Sequence, residues 1–214
     1  MVKSTIYVNP VTGKDSDTGD SVPFKTLTKA LSIATAGTTI HLAAGTYNAA
    51  RVEVFPLVIP KGVMVLGNEP TKGKNIVISG SGNYVSPTFN RQNITIRLDS
   101  KAQLRGVTVT NQEKLGTAVW IESTSPIIAN NTFTRCGREG IFVTGTAKPM
   151  ILDNVLYANA SSGIFLVRNA KGEVRGNVCQ KTGYGIAISD LPPAKSDQSS
   201  RSGIPSQGFG VNRW

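Results

Sequence analysis

The 214-residue chain has two cysteines, one histidine and no long apolar run, and its 13 acidic residues are outnumbered by 23 lysines and arginines. Two cysteines make no disulfide framework, which leaves the compartment open. No apolar segment approaches the roughly 20 residues of a membrane helix. The segment after Met1 lacks the charged-then-apolar pattern of a signal peptide. The chain is expected to be soluble and to have no transmembrane segment. The shortage of acid leaves a net charge of +10, which favours acidic partners: an anionic polysaccharide, an acidic protein surface, nucleic acid or anionic lipid. Nucleic acid fits least, because there is no concentrated basic helix and no recognisable nucleic-acid-binding motif. No specific nucleic-acid partner is expected.

With 39% hydrophobic and 17% charged residues, the composition is that of a folded protein, and the length suits one domain. The 22 glycines and frequent Thr, Asn and Val point to strands and turns, with helix a minor partner. IYVNPVTGKDSDTGD reads as a strand at Ile6 to Asn9 followed by a polar, turn-rich loop. In PFKTLTKALSIATAG, Thr26 can cap a helix whose Leu27, Ala30, Leu31 and Ala34 share one face, with Gly37 as terminator. A solenoid exposes core at its ends, and such a helix suits a capping task. Strand signals follow at Thr39 to Leu42, Leu57 to Ile59, Val63 to Leu66, Ile76 to Ile78 and Ile94 to Leu98. Ser79 to Gln92 is expected to be a loop projecting from the fold.

A period becomes plain from Pro126 onward. Asn131, Asn154 and Asn177 recur every 23 residues, and Gly140, Gly163 and Gly185 precede GIFV-, GIFL- and GIAI-type strands at intervals of 23 and 22. Ile128, Ile151 and Val174 form a third column, and Phe133, Leu156 and Cys179 a fourth. A leucine-rich repeat overlaps this period, but it needs apolar residues three, five and eight positions before the Asn. Here only one of those columns, Ile128–Ile151–Val174, is apolar. The columns instead fit a right-handed parallel β-helix in which each period is one coil of about three short strands, stacked at roughly 4.8 Å. Repeated Asn side chains can then bond to the copies above and below. Cys136 and Cys179 fall in different columns two coils apart, roughly 10 Å, and read as separate thiols facing the core.

The opening IYVNPVTGKDSDTGD, then PFKTLTKAL, then TIHLAAGTY at Thr39 to Tyr47, resemble the N-terminal segment of a bacterial, often cyanobacterial, family of unknown function. That family lies within the pectin-lyase-like right-handed β-helix superfamily, and the resemblance covers the chain up to about Asp190. It implies the fold. It implies no single activity, because the same opening motifs stand in front of lyases, binding proteins and uncharacterised surface proteins.

A lyase on this fold needs a basic residue to remove a proton and cations to neutralise a uronate carboxylate, with several oxygen ligands converging on them. From Pro126 to Ser189 the acids are Glu139, Asp153 and Glu173, and no two share a column. A hydrolase needs paired carboxylates, and neither an Asp-Asp nor a Gly-His-Gly motif occurs. His41, between inward Ile40 and Leu42, should face outward from a strand. Asp15, Asp17 and Asp20 invite a calcium reading, but Gly19 and Asp20 reverse the EF-hand order and its twelfth position would be Thr26. A polar turn accounts for them better. No catalytic residue, metal site or cofactor is implied.

Two columns point to binding. In GIFV, GIFL and GIAI the flanking aliphatics should point inward, which places Phe142, Phe165 and Ala187 on the outer face with Trp120 one coil earlier. Such an aromatic column is a sugar platform, a protein interface, or a face covered by another part of the chain, such as a tail carrying Phe209, Val211 and Trp214. Lys148, Lys171 and Lys195, each preceded by Ala, recur at intervals of 23 and 24. Stacked ammonium groups repel unless they are solvated or face anions.

The expectation is a β-helix over 1–190, with a strand, loop and capping helix in 1–38, irregular first coils in 39–102, regular coils in 103–190 and a tail in 191–214. The expected role is a non-catalytic module, outside the cytoplasm or on the cell surface, that binds an anionic polysaccharide or an acidic protein. A lyase or hydrolase acting on acidic glycans is the first alternative, and a structural subunit of a larger assembly the second.

Overall fold

A short apolar triplet in extended conformation puts its centre side chain on one face and its neighbours on the other. In the computed structural model, which describes residues 4–190, such triplets wind into a right-handed parallel β-helix. The chain enters through β1 (Thr5–Val8) and helix α1 (Leu27–Ile33). The first coil is β2 (Thr39–Leu42), β3 (Gly45–Asn48) and β4 (Leu57–Ile59). The second is β5 (Met64–Leu66), β6 (Ile76–Ser79) and a long β8 (Asn90–Leu98), with β7 (Gly82–Ser86) folded back on β8 as an antiparallel hairpin. The regular coils are β9 (Gln103–Arg105), β10 (Thr108–Thr110) and β11 (Gly116–Glu122), then β12 (Ile127–Ala129), β13 (Thr132–Thr134) and β14 (Ile141–Thr144). They continue with β15 (Met150–Leu152), β16 (Val155–Tyr157) and β17 (Ser162–Val167), and end with β18 (Glu173–Arg175), β19 (Val178–Gln180) and β20 (Tyr184–Ser189).

Corresponding strands stack into three parallel sheets: β1-β2-β5-β9-β12-β15-β18, then β3-β6-β10-β13-β16-β19, then β4-β8-β11-β14-β17-β20. They are called here the first, second and third sheets. In-register columns of Ile40, Val65, Leu104, Ile128 and Ile151 from the first sheet meet Ile78, Val109, Phe133 and Leu156 from the second, all buried. Residues 79–92, expected to project as a loop, instead supply β7 and the start of β8 and lie against the third sheet.

Turning three corners per coil needs local reversals of the backbone. Asn130 and Asp153 sit in the left-handed region at one corner, with φ of 56° and 55°. Arg135, Ala158 and Lys181 do so at the next, and Ser123 and Arg168 at the third. The column expected from the repeated asparagines holds the first corner together. Asn131 Nδ2 donates to Asn154 Oδ1 at 3.0 Å and Asn154 Nδ2 to Asn177 Oδ1 at 2.9 Å. Their amides also donate to the Leu104 and Ile128 carbonyls, so buried turn groups are satisfied without water.

The N-terminal end is closed by α1, which buries Leu27, Ala30 and Leu31 and packs against β1 and β4. Thr26 caps it by accepting from Lys29 N–H at 3.0 Å, and the helix ends at Ile33, ahead of Gly37. Asp15 fixes the approach, accepting from the Thr26 N–H and hydroxyl at 2.9 and 2.8 Å. Glu53, from the loop after β3, accepts from the N–H groups of Leu27 and Thr28 at 2.7 and 2.8 Å. Burial pushes its carboxyl above the usual carboxylate range, against the opposing effect of these hydrogen bonds.

Candidate functional site

The aromatic column lies where alternation puts it, on the outer face of the third sheet, with Trp120, Phe142, Phe165 and Ala187 in register. Stacking at coil spacing brings the Trp120 and Phe142 rings to 4.2 Å between centroids and 9° from parallel. Phe165 turns edge-on to Phe142. This face is not open. Phe89 and Tyr84 of the hairpin close over it, Phe89 standing perpendicular to both Trp120 and Phe142. Trp120 is 0% and Phe142 5% exposed, and only Phe165, at the rim, is half-buried. An exposed aromatic surface is therefore corrected to a second, external core of Ile94, Trp120, Phe142 and Val167. The physical reason is that this much contiguous apolar area is stabilised by covering it. The observed cover is the hairpin, whereas residues 191–214, including Lys195, lie outside the described residues.

Polar contacts fasten the hairpin at both edges. Glu122 accepts from Ser86 Oγ and Trp120 Nε1 at 3.0 Å each and from the Tyr84 hydroxyl at 3.2 Å. Burial first, and the Glu122 charge second, push the Tyr84 phenol above its ordinary value. Arg138 donates to Glu139 at 2.5 Å, Gln92 at 2.8 Å and Thr117 at 3.1 Å. Arg97 and Arg168 lie over the Tyr84 and Phe89 rings. Tyr84, Ser86 and Gln92 escaped the sequence reading because their segment lies outside the repeat, and Glu122, Arg138 and Arg168 because their partners lie in that segment, although the Tyr84-x-Ser86 alternation was a strand signal.

The neighbouring corner, where the chain passes from the third sheet to the first, has the opposite character. The register Gln103–Ile127–Met150–Glu173 fixes the residues two positions earlier: Lys101, Ser125, Lys148 and Lys171. Main-chain bonds confirm the stacking, with Lys101 N–H donating to Ser125 O, Lys148 N–H to Thr124 O and Lys171 N–H to Ala147 O. Lys61 stands beside this line one coil before Lys101. All four lysines are exposed. Among the described residues no carboxylate lies within ion-pair distance of any of them. Lys101 was missed because Ser125 interrupts the column between it and Lys148, and Lys61 because the hairpin between it and Lys101 breaks the 23-residue period.

The remaining candidates are scattered. His41 faces outward, half-buried, its ring 5.4 Å from that of Tyr7, in a cleft of about 580 Å³ shared with Asp20 and Ser21. Asp20 accepts from the Thr18 hydroxyl and the Ser21 N–H, which hold its carboxyl below the usual range. Cys136 is buried and Cys179 half-buried, both as free thiols, and burial pushes them up to about 12 and about 11. No three His, Cys, Asp or Glu side chains among the described residues gather closely enough to hold a metal ion. No helix among them is long and apolar enough to cross a membrane.

No curated protein matches this chain. A solved structure described as a rhamnogalacturonan lyase has a similar fold, with a TM-score of 0.50 at 16% sequence identity. The match covers 87% of this chain and 62% of that one, so the chain spans about three fifths of that protein's length. Identity this low shows the fold alone: a right-handed parallel β-helix. Residues 11–211 match the family described as "Protein of unknown function (DUF1565)", and the chain belongs to that family.

Proposed function

We propose that the chain is a non-catalytic β-helix module that binds an anionic polysaccharide along the lysine corner, outside the cytoplasm or at the cell surface. The observation that carries this reading is the line of exposed Lys101, Lys148 and Lys171 with no acidic partner among the described residues. Two ammonium groups about 5 Å apart in water repel by about 0.8 kcal/mol. A polymer with regularly repeated carboxylates or sulfates turns that repulsion into attraction at each lysine of the line, whereas an isolated acidic side chain relieves it once. The rigid stack holds the backbone positions of these lysines in line before binding, so that only their side chains are ordered on association.

The acids near the third sheet are engaged in structure. Glu122 holds the hairpin and Glu139 pairs with Arg138, which favours binding over cleavage. The test is a titration of the full chain with polygalacturonate, a neutral glucan and polyglutamate, at low salt and at about 0.5 M, where the Debye length falls to about 4 Å. Polygalacturonate is expected to bind at low salt, to weaken at high salt and to lose at least about tenfold in affinity with Lys148→Glu/Lys171→Glu. Indifference to the charge reversal contradicts the reading, and a preference for polyglutamate favours an acidic protein partner. Release of unsaturated oligosaccharides would favour a lyase.

A further inference from the structure

A second aromatic pair stands on the outer face of the first sheet, near the N-terminal end of the stack. Ile6 and Val8 of β1 and Ile40 and Leu42 of β2 are buried, so Tyr7 and His41 between them point outward in register. Their rings stack 29° from parallel. On the third sheet the chain covers its aromatic column completely at Trp120, with a hairpin, whereas Tyr7 is left 47% exposed.

The pair forms part of the cleft of about 580 Å³, a volume within the range of small-ligand sites, which Asn9, Asp20, Ser21 and Pro23 also line. Main-chain bonds fix its frame: Tyr7 N–H donates to Gly19 O at 2.7 Å and Phe24 N–H to Tyr7 O at 2.9 Å. Gly19, at φ 82°, is needed beside Asp20, because a Cβ there would strike the buried Phe24 ring. The cleft is therefore shaped before a ligand arrives, and binding orders little main chain.

Its polar groups suit hydroxyls. The Thr18 hydroxyl and the Ser21 N–H and hydroxyl all donate to Asp20 Oδ1, which favours the ionised carboxylate and leaves Oδ2 as an acceptor. Asn9 Oδ1 accepts from the Val11 and Thr12 N–H groups, which leaves Nδ2 as a donor. Among the described residues no lysine or arginine lies within ion-pair distance of Asp20. Its charge thus disfavours an anion, and one carboxylate is too few ligands for a divalent cation. A pyranose has an apolar C–H face and a rim of hydroxyls that both donate and accept, which matches an aromatic surface bordered by one acceptor and one donor. We propose that this cleft binds one neutral pyranose ring, its C–H face against the Tyr7–His41 pair and its hydroxyls on Asp20 Oδ2 and Asn9 Nδ2. The site differs from the lysine corner in place and in sign of charge, and neither depends on the other.

His41 is the only histidine in the chain, so its imidazole C–H signals report on the cleft by proton NMR. The full chain is titrated with glucose, galactose, mannose and galacturonate, each to about 100 mM, and at least one neutral sugar is expected to shift these signals saturably. Galacturonate should bind at least about fivefold more weakly than that sugar. Tyr7→Ala should weaken binding at least about tenfold, and Tyr7→Phe, which keeps the ring, less than about twofold. Absence of a saturable shift with every neutral sugar overturns the proposal in the unmodified chain, with no variant needed. Galacturonate binding as tight as that of the neutral sugars overturns it as well, as does full binding by Tyr7→Ala. Weak binding by Tyr7→Phe contradicts the stacked contact. Polygalacturonate plays no part in this titration, so its result stands apart from that of the lysine corner.

Discussion

The outer face of the third sheet and the lysine corner beside it arise from the same device and end in opposite states. In both, a repeat of about 23 residues stacks like on like at the spacing of parallel strands. Stacked aromatics merge into one apolar surface whose exposure to water is unfavourable in proportion to its area, and the chain covers it with the hairpin of β7 and β8. Stacked ammonium groups gain nothing from burial and lose hydration if covered, so Lys101, Lys148 and Lys171 remain in solvent. A repeat therefore converts one apolar choice into a core and one charged choice into a surface, and only the surface is open to a ligand without rearrangement.

The sharpest attempt to break this contrast is Trp120→Ala. The side chain is fully buried beneath the hairpin, so its removal is expected to destabilise the fold by about 3–5 kcal/mol in urea unfolding. A loss under 1 kcal/mol would mean that the aromatic face is a poorly packed, ligand-ready surface. Glu122→Ala removes the acceptor of three donors and should lower stability by about 1–3 kcal/mol. Exchange of the β7 amides should accelerate more than that of the β12 amides; uniform acceleration would contradict a local latch. The smallest effect is expected at the corner. Lys148→Glu replaces a like-charged neighbour of Lys171 with an opposite one and should stabilise the fold by about 0.3–0.5 kcal/mol at low salt, fading as salt is added. Destabilisation by more than 1 kcal/mol would show that Lys148 has a structural partner.

Much of the fold was legible because the solenoid repeats its instructions. β2 and β4 were read to the residue, and the Asn131, Asn154 and Asn177 column was read with its hydrogen-bonding role. β3 was missed because Gly45–Asn48 offers one inward side chain, Tyr47, among polar neighbours. The hairpin was missed for a different reason: its strand partner is local and antiparallel, so the 23-residue comparison carries no information about it. At the candidate site, the direction in which Trp120, Phe142 and Phe165 point follows from period-two alternation. Whether something lies on top of them is a tertiary fact that alternation cannot encode. Lys101 was recoverable in principle, since it precedes Lys148 by two coils, but Ser125 interrupts the column between them.

The contrast between covered aromatics and open lysines is tested most directly by measuring polygalacturonate affinity for two variants side by side, Lys148→Glu/Lys171→Glu and Phe165→Ala. The account predicts at least about tenfold weaker binding for the charge reversal and less than about twofold change for the aromatic truncation. Weak binding by Phe165→Ala with full binding by the lysine variant would contradict it.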